Sequence, residues 1–241
     1  MPVKLLIEGA VDSELDVLLK RFVPYEDCDI GGWTAHICGD IAILKTGVGA
    51  ANAAASTALA CARLKPIAVL SQGTAGAHAL DMHTGDIVIG AHIVRLGAYI
   101  SPVSERGIDP RAWSALSEQG DAGACEATSD ARLVALALNA ARNQGYGAPG
   151  RPRIVAGTIG SGDVWNREFD MIAHLNERYG TLCEEMETIA AAKVCARMGV
   201  PFLSMRVISN NERIGETYAP ESARGLQELV AEVTRGIVGE A

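Results

Sequence analysis

Several signatures are missing from this sequence, and each absence removes a class of function. The six cysteines, Cys28, Cys38, Cys61, Cys125, Cys183 and Cys195, form no C-x-x-C pair and have no histidine beside them at zinc-ligand spacing. They read as small buried hydrophobes in a reducing compartment, and no metal site is expected. The histidines His36, His78, His83, His92 and His174 show no ligand-like spacing either, so surface or core positions are their default. No stretch approaches the roughly 18 uncharged apolar residues of a membrane span. Glu8 and Asp12 interrupt the apolar start too early for a signal peptide. Positive charge is scarce, with 21 Lys and Arg against 29 Asp and Glu for a net charge of −8, which disfavours a nucleic-acid partner. The expectation is a soluble cytoplasmic protein without membrane or nucleic-acid contacts.

What is present is ordinary globular material. Hydrophobic residues make up 49% against 21% charged, too apolar for intrinsic disorder. The 241 residues, without a Pro/Ser-rich linker or charge block, predict one domain over residues 1–241. Short apolar runs alternate with helical stretches, the pattern of an α/β fold. Strands are expected at residues 3–7, 41–45, 67–71, 86–94, 154–159 and 202–208, and helices at 50–64, 133–143, 188–197 and 222–238. The helix at 50–64 follows Gly47-Val48-Gly49 and stops at Lys65-Pro66, since a residue before proline avoids the helical region. Residues 97–128 are polar and without period, a long excursion whose order is expected to depend on a ligand or a neighbouring subunit.

Ligands of open α/β sheets gather at the carboxyl ends of strands. The segments there are Gly9 to Glu14, Gly47-Val48-Gly49, Gly73-Thr74-Ala75-Gly76, Ser161-Gly162-Asp163-Val164-Trp165 and Ser209-Asn210-Asn211. Gly47-Val48-Gly49 lacks the third glycine of a dinucleotide fingerprint and the lysine of a phosphate loop, so no nicotinamide or ATP cofactor is expected. The run Glu184-Glu185-Met186-Glu187 precedes the helix at 188, where carboxylates suit the helix dipole. Cys183 and the apolar positions ahead of that run argue that at least one carboxylate near Met186 points inward. Taken singly, these residues keep plainer readings: an exposed acid for Glu14, core packing for Trp165, an internal ion pair for Arg206.

In order and spacing, these motifs together with Arg206-Val207-Ile208-Ser209 resemble the nucleoside phosphorylase superfamily, and within it the 5'-methylthioadenosine/S-adenosylhomocysteine nucleosidases. The likeness covers nearly the whole chain and is weakest over residues 97–128. It implies a mixed central sheet flanked by helices and cleavage of the bond between ribose and purine, through an oxocarbenium-like sugar. The positions that match the family's functional residues assign Glu14 as the base that activates water and Asn210 as the residue at the departing base. Glu187 would accept the ribose hydroxyls, with Met186 packed on the sugar and Glu185 beside it. Val48, Thr74, Ala75 and Gly76 would complete the pocket. Trp165 would lie on the purine face, and the backbone of Asn166 would read the base edge.

One departure matters. The family carries an aspartate that protonates the purine where this chain has Asn210, and an amide donates a hydrogen bond without delivering a proton. Asn210 suits a 6-oxopurine as well as adenine, so inosine- or futalosine-like substrates stand as an alternative. Thr74 is the candidate to orient Asn210, and a nearby water or Asp163 to relay a proton. The arginines with which the superfamily's phosphorylases hold phosphate are missing from residues 71–74 and 9–14, which favours water as the nucleophile. A phosphorylase or a noncatalytic nucleoside-binding protein are the lesser alternatives. The resemblance further implies a homodimer in which residues 97–110 of one copy close the site of the other.

Overall fold

The computed structural model describes residues 2–103, 107–116 and 122–240. In chain order these form β1 (Leu5–Gly9), α1 (Asp16–Arg21), β2 (Glu26–Ile30), β3 (Trp33–Cys38), β4 (Ile41–Lys45), α2 (Ala50–Leu64), β5 (Ala68–Ala77) and β6 (Ile87–Arg95). There follow β7 (Tyr99–Ile100), β8 (Ser114–Ala115), α3 (Ala122–Cys125), β9 (Glu126–Thr128), α4 (Ala131–Asn143) and β10 (Ile154–Ser161). The chain ends with α5 (Phe169–Tyr179), β11 (Thr181–Glu185), α6 (Thr188–Met198), β12 (Phe202–Asn210) and α7 (Ala223–Glu240).

A mixed sheet runs through the molecule in the order β11-β10-β6-β12-β5-β1-β4-β3-β2. Strand β1 is buried along its whole length and pairs in parallel with β4 and β5. Burial on both faces is what its continuous apolar run requires. β5 outlasts β1. Beyond Ser71 it continues along β12, and at Gly76 and Ala77 it takes up β11 in antiparallel pairing. Strands β5, β12, β6, β10 and β11 thereby close into a ring. β10 shifts register against β6 after Gly157, where a Cβ would lie 2.4 Å from Leu182 Cδ1 of the neighbouring β11. Only a glycine lets the two strands approach so closely.

Helices cover both faces. α2 and α6 pack on one, over Leu6, Leu44, Val69 and Phe202, while α1, α4 and α7 pack on the other, over Leu5, Ile43, Leu70 and Met205. α2 ends at Lys65 in the left-handed region, ahead of Pro66, as the sequence predicts.

The expected strands and helices are present, most of them extended by a few residues, and β4 and α2 match residue for residue. Outside residues 97–128, α1, β2, β3, α5 and β11 match none of the expected elements. The β2–β3 hairpin is a half-exposed edge whose Glu26-Asp27-Cys28-Asp29 lacks an apolar alternation. α5 carries a weak apolar stripe, and β11 is short and ends in two glutamates. Within the excursion at 97–128, β7 pairs with β8 and β9 with β6, while residues 104–106 and 117–121 lie outside the described residues.

Candidate active site

The strand ends deliver their loops to one cavity of about 210 Å3. A water molecule in liquid occupies about 30 Å3, so the cavity has small-molecule dimensions. It is lined by Ala10, Val11, Glu14, Val48, Thr74, Ala75, Gly76, Val164, Trp165, Glu184, Glu185, Met186, Glu187, Ser209, Asn210 and Tyr218. Ten of the eleven residues singled out in the sequence are therefore brought together, and Asn166 is the exception.

Glu14 is not an exposed acid. It is buried in the 3-10 turn ahead of α1, and its carboxylate accepts hydrogen bonds from Thr74 N at 2.7 Å, Thr74 Oγ1 at 3.0 Å and Ala10 N at 2.9 Å. Gly73 makes room for it, since a Cβ there would lie 2.7 Å from Glu14 Oε1. The hydroxyl of Thr74 is thus committed to Glu14 and does not orient Asn210. That task falls to Ser209, whose Oγ lies 2.9 Å from Asn210 Oδ1 and 3.2 Å from the carbonyl of Ala75. Asp163 is no relay to the base either: it accepts from Ala50 N at 2.8 Å and holds the start of α2.

The Glu184–Glu187 run divides by role. Glu184 and Glu185 close β11, and Glu185 also caps the start of α6. Glu185 accepts from Glu187 N and Thr188 N and is forked by Arg206, at 3.2 Å from Nε and 2.6 Å from Nη2. Burial opposes its ionisation, but the Arg206 charge and the bonds from Ser161, Thr188 and Glu187 N prevail and hold its pKa low. Arg206 is accordingly the internal ion-pair partner that its place in a strand suggests. Glu187, at the head of α6, accepts from Gly49 N at 2.7 Å and faces the cavity. Its burial, with the charges of Glu185 and Glu14 nearby, pushes its pKa up to about 7.

Trp165 is 54% exposed, which excludes core packing, and its ring meets Tyr218 edge to face at 5.4 Å. Asn166 turns toward the barrel: its backbone N–H donates to Glu184 Oε1 at 2.6 Å and its amide to Oε2. Glu184 is backed by His78, 1% exposed, whose Nε2 lies 3.1 Å from Oε2 at ion-pair distance but off a hydrogen-bonding line. Neither His78, two residues beyond the Gly73–Gly76 motif and read as an ordinary core or surface histidine, nor Tyr218, which lies outside the strand-end motifs, was an expected site residue. Among the described residues no three His, Cys, Asp or Glu side chains converge as metal ligands. No described helix is long and apolar enough to cross a membrane.

Residues 11–240 match the phosphorylase superfamily. The 5'-methylthioadenosine/S-adenosylhomocysteine nucleosidase of Halalkalibacterium halodurans is 30% identical over 212 residues, covering 86% of this chain and 85% of that protein. Among solved structures, the Neisseria meningitidis nucleosidase of the same description, in complex with methylthio-immucillin-A, aligns with a TM-score of 0.77 at 22% identity, over 97% of this chain and 99% of that one. Helicobacter pylori futalosine hydrolase aligns with a TM-score of 0.79 at 21% identity, over 97% and 98%. At such identities the two structures speak for the fold. The family match over almost the whole chain carries more, and this protein belongs to the phosphorylase superfamily, with the 5'-methylthioadenosine/S-adenosylhomocysteine nucleosidases among its relatives.

Proposed function

We propose that this chain hydrolyses the N-ribosidic bond of a 5'-modified purine nucleoside, 5'-methylthioadenosine or S-adenosylhomocysteine, releasing adenine and the 5'-modified ribose. The observation that carries the reading is the charge of the cavity wall: four glutamates and no lysine, arginine or histidine among the described lining residues. Such a wall stabilises a cationic sugar and repels a phosphate dianion, so water is the nucleophile.

Glu14 takes a proton from water as the oxygen bonds to the anomeric carbon, and the bond to the purine breaks with its electrons going to the base. Glu187 accepts the ribose hydroxyls, Met186 packs on the sugar and Trp165 covers the purine. Asn210 donates to the purine nitrogen without transferring a proton, so the departing base gains its proton from water.

Asn210 also supports a second reading, a 6-oxopurine nucleoside, because the amide NH2 serves two neighbouring acceptors. The test for both is release of free base from methylthioadenosine, S-adenosylhomocysteine, adenosine, inosine and futalosine, with and without phosphate. Adenine from the thio-nucleosides without phosphate is the expected result. Hypoxanthine alone selects the second reading, and phosphate dependence overturns hydrolysis.

The working form is a cytoplasmic homodimer. Support comes from six unpaired cysteines and from Ile100, Val103 and Ile108, apolar side chains left exposed on the 97–110 stretch for a second copy to cover.

A further inference from the structure

Beneath the main cavity lies a second of about 10 Å3, walled by Glu8, Thr46, Ser71, Gln72, Glu187 and Arg206 among others. That volume admits one water molecule and nothing larger. Its wall includes an orphan. Gln72 Nε2 donates to the backbone carbonyl of Glu14 at 2.6 Å, and because a carbonyl can only accept, the amide orientation is fixed. Gln72 Oε1 is then left buried without a donor from the protein, a costly state unless a water meets it.

Glu8 is the second unusual feature. It is 2% exposed and sits mid-sheet in β1, between Leu44 of β4 and Ser71 of β5. From α2, Thr57 Oγ1 donates to Glu8 Oε1 at 2.8 Å. From α6 it faces Cys195, whose thiol is hydrogen-bonded to that of Cys61 of α2, and from β12 it feels Arg206. Across the small cavity stands Glu187. One guanidinium therefore stands among four carboxylates, Glu8, Glu14, Glu185 and Glu187, and Glu185 engages it directly. Protons must make up the difference, and a deep carboxyl that Arg206 does not bond directly keeps its proton longer than Glu185, which it does.

We propose that Glu8 is a positioning residue for Glu187: it keeps its proton and donates it in a hydrogen bond to a water seated in the small cavity, which donates in turn to Gln72 Oε1 and Glu187. The water then accepts one bond and donates two, and Gln72 Oε1 gains the donor it lacks. Glu187 is held as an ionised acceptor for the sugar hydroxyls, a role that rests on the reading proposed above. Burial raises both carboxyls to about 7, and through the shared water the charge of one bears on the proton of the other. Glu187 loses the first proton, and its new charge raises the affinity of Glu8 for the second.

The test is infrared spectroscopy of the folded protein near neutral pH, with Glu8→Gln beside wild type. A carboxylic-acid carbonyl band present in wild type and absent in Glu8→Gln is expected. No such band in wild type, or one unchanged in the variant, overturns the proposal. The kcat/KM profile for base release is expected to be a bell in wild type. Glu8→Gln keeps the rising limb and loses the falling one, so the variant-to-wild-type ratio grows by about tenfold per pH unit on the alkaline side. Parallel profiles overturn the coupling to Glu187. Should Glu8→Gln not fold, Thr57→Val removes the donor that favours ionised Glu8 and moves the falling limb to higher pH, and an unmoved limb counts against the proposal. If no nucleoside is cleaved, the hydrolase reading fails while the infrared band still decides the state of Glu8.

Discussion

Arg206 Nη2 lies 2.6 Å from Glu185 Oε2, with both side chains 2% exposed, and the pair forms the floor on which the cavity is built. Because two further N–H groups, of Glu187 and Thr188, also bind Glu185, the pair fixes the head of α6 and with it the position of Glu187. Glu185→Gln takes from the buried guanidinium the carboxylate that bonds it directly. A loss of about 3–5 kcal/mol of unfolding free energy is expected in urea titration, well above that of a surface charge change. An effect below 1 kcal/mol would remove the pair from this structural role.

Glu14 and Gly73 give a paired prediction for the water-activating role. Glu14→Gln keeps the size of the side chain and removes the base, so kcat is expected to fall by about 10²–10⁴ with KM little changed. Gly73→Ala puts a methyl group within 2.7 Å of Glu14 Oε1 and displaces the carboxylate. It is expected to reduce kcat by about 10² with less change in thermal midpoint than Glu185→Gln. Full turnover in Glu14→Gln would remove the catalytic assignment.

Asn210→Asp supplies a carboxyl that can deliver a proton at the departing base. Its hydrogen-bond partner Ser209 is already in place. Adenine release is expected to accelerate by up to about 10²-fold, mostly in kcat, with the gain greatest at acid pH, where the new carboxyl is protonated. A slower variant on every 6-aminopurine substrate would show that the amide is adapted to a different base.

The pH dependence of stability follows from two opposed sets of carboxyls. Glu8 and Glu187, raised to about 7 by burial first, bind more protons folded than unfolded above the ordinary carboxylate range. Their contribution is complete below about pH 4.5 and is lost as pH rises toward 7, on the order of a few kcal/mol for Glu8. Glu185, lowered by Arg206 against its burial, contributes above the ordinary range and loses that contribution on acidification. Thermal midpoints should therefore peak in mildly acid buffer, fall toward pH 7 and level off beyond. A midpoint that climbs between pH 5 and 7.5 would contradict the protonated state of the buried pair.

Much of the fold was legible locally. The helix Ala50–Leu64 is bounded by a glycine turn and a proline, and β4 by its run of aliphatic residues, so short-range chemistry sets their limits. Glu14, Glu187 and Asn210 could be singled out because each follows a strand or precedes a helix in a recognisable order. Their environments could not. The exposed-acid reading of Glu14 fails only because β5, some sixty residues on, brings Thr74 and the bare backbone of Gly73 against it. Glu184 reads as a helix-terminal acid until β11 closes against β5 and sets it beside His78.

Residue type and local spacing were enough to set most of the central strands and the longer helices, the acidic character of the site and the replacement of an acid by Asn210. The tertiary structure alone decided which glutamates face the cavity, which one pairs with Arg206 and which lies deep enough to keep a proton. Those outcomes depend on solvent access and on charges far apart in the chain, which are set only when the strands from β5 to β12 close into a ring.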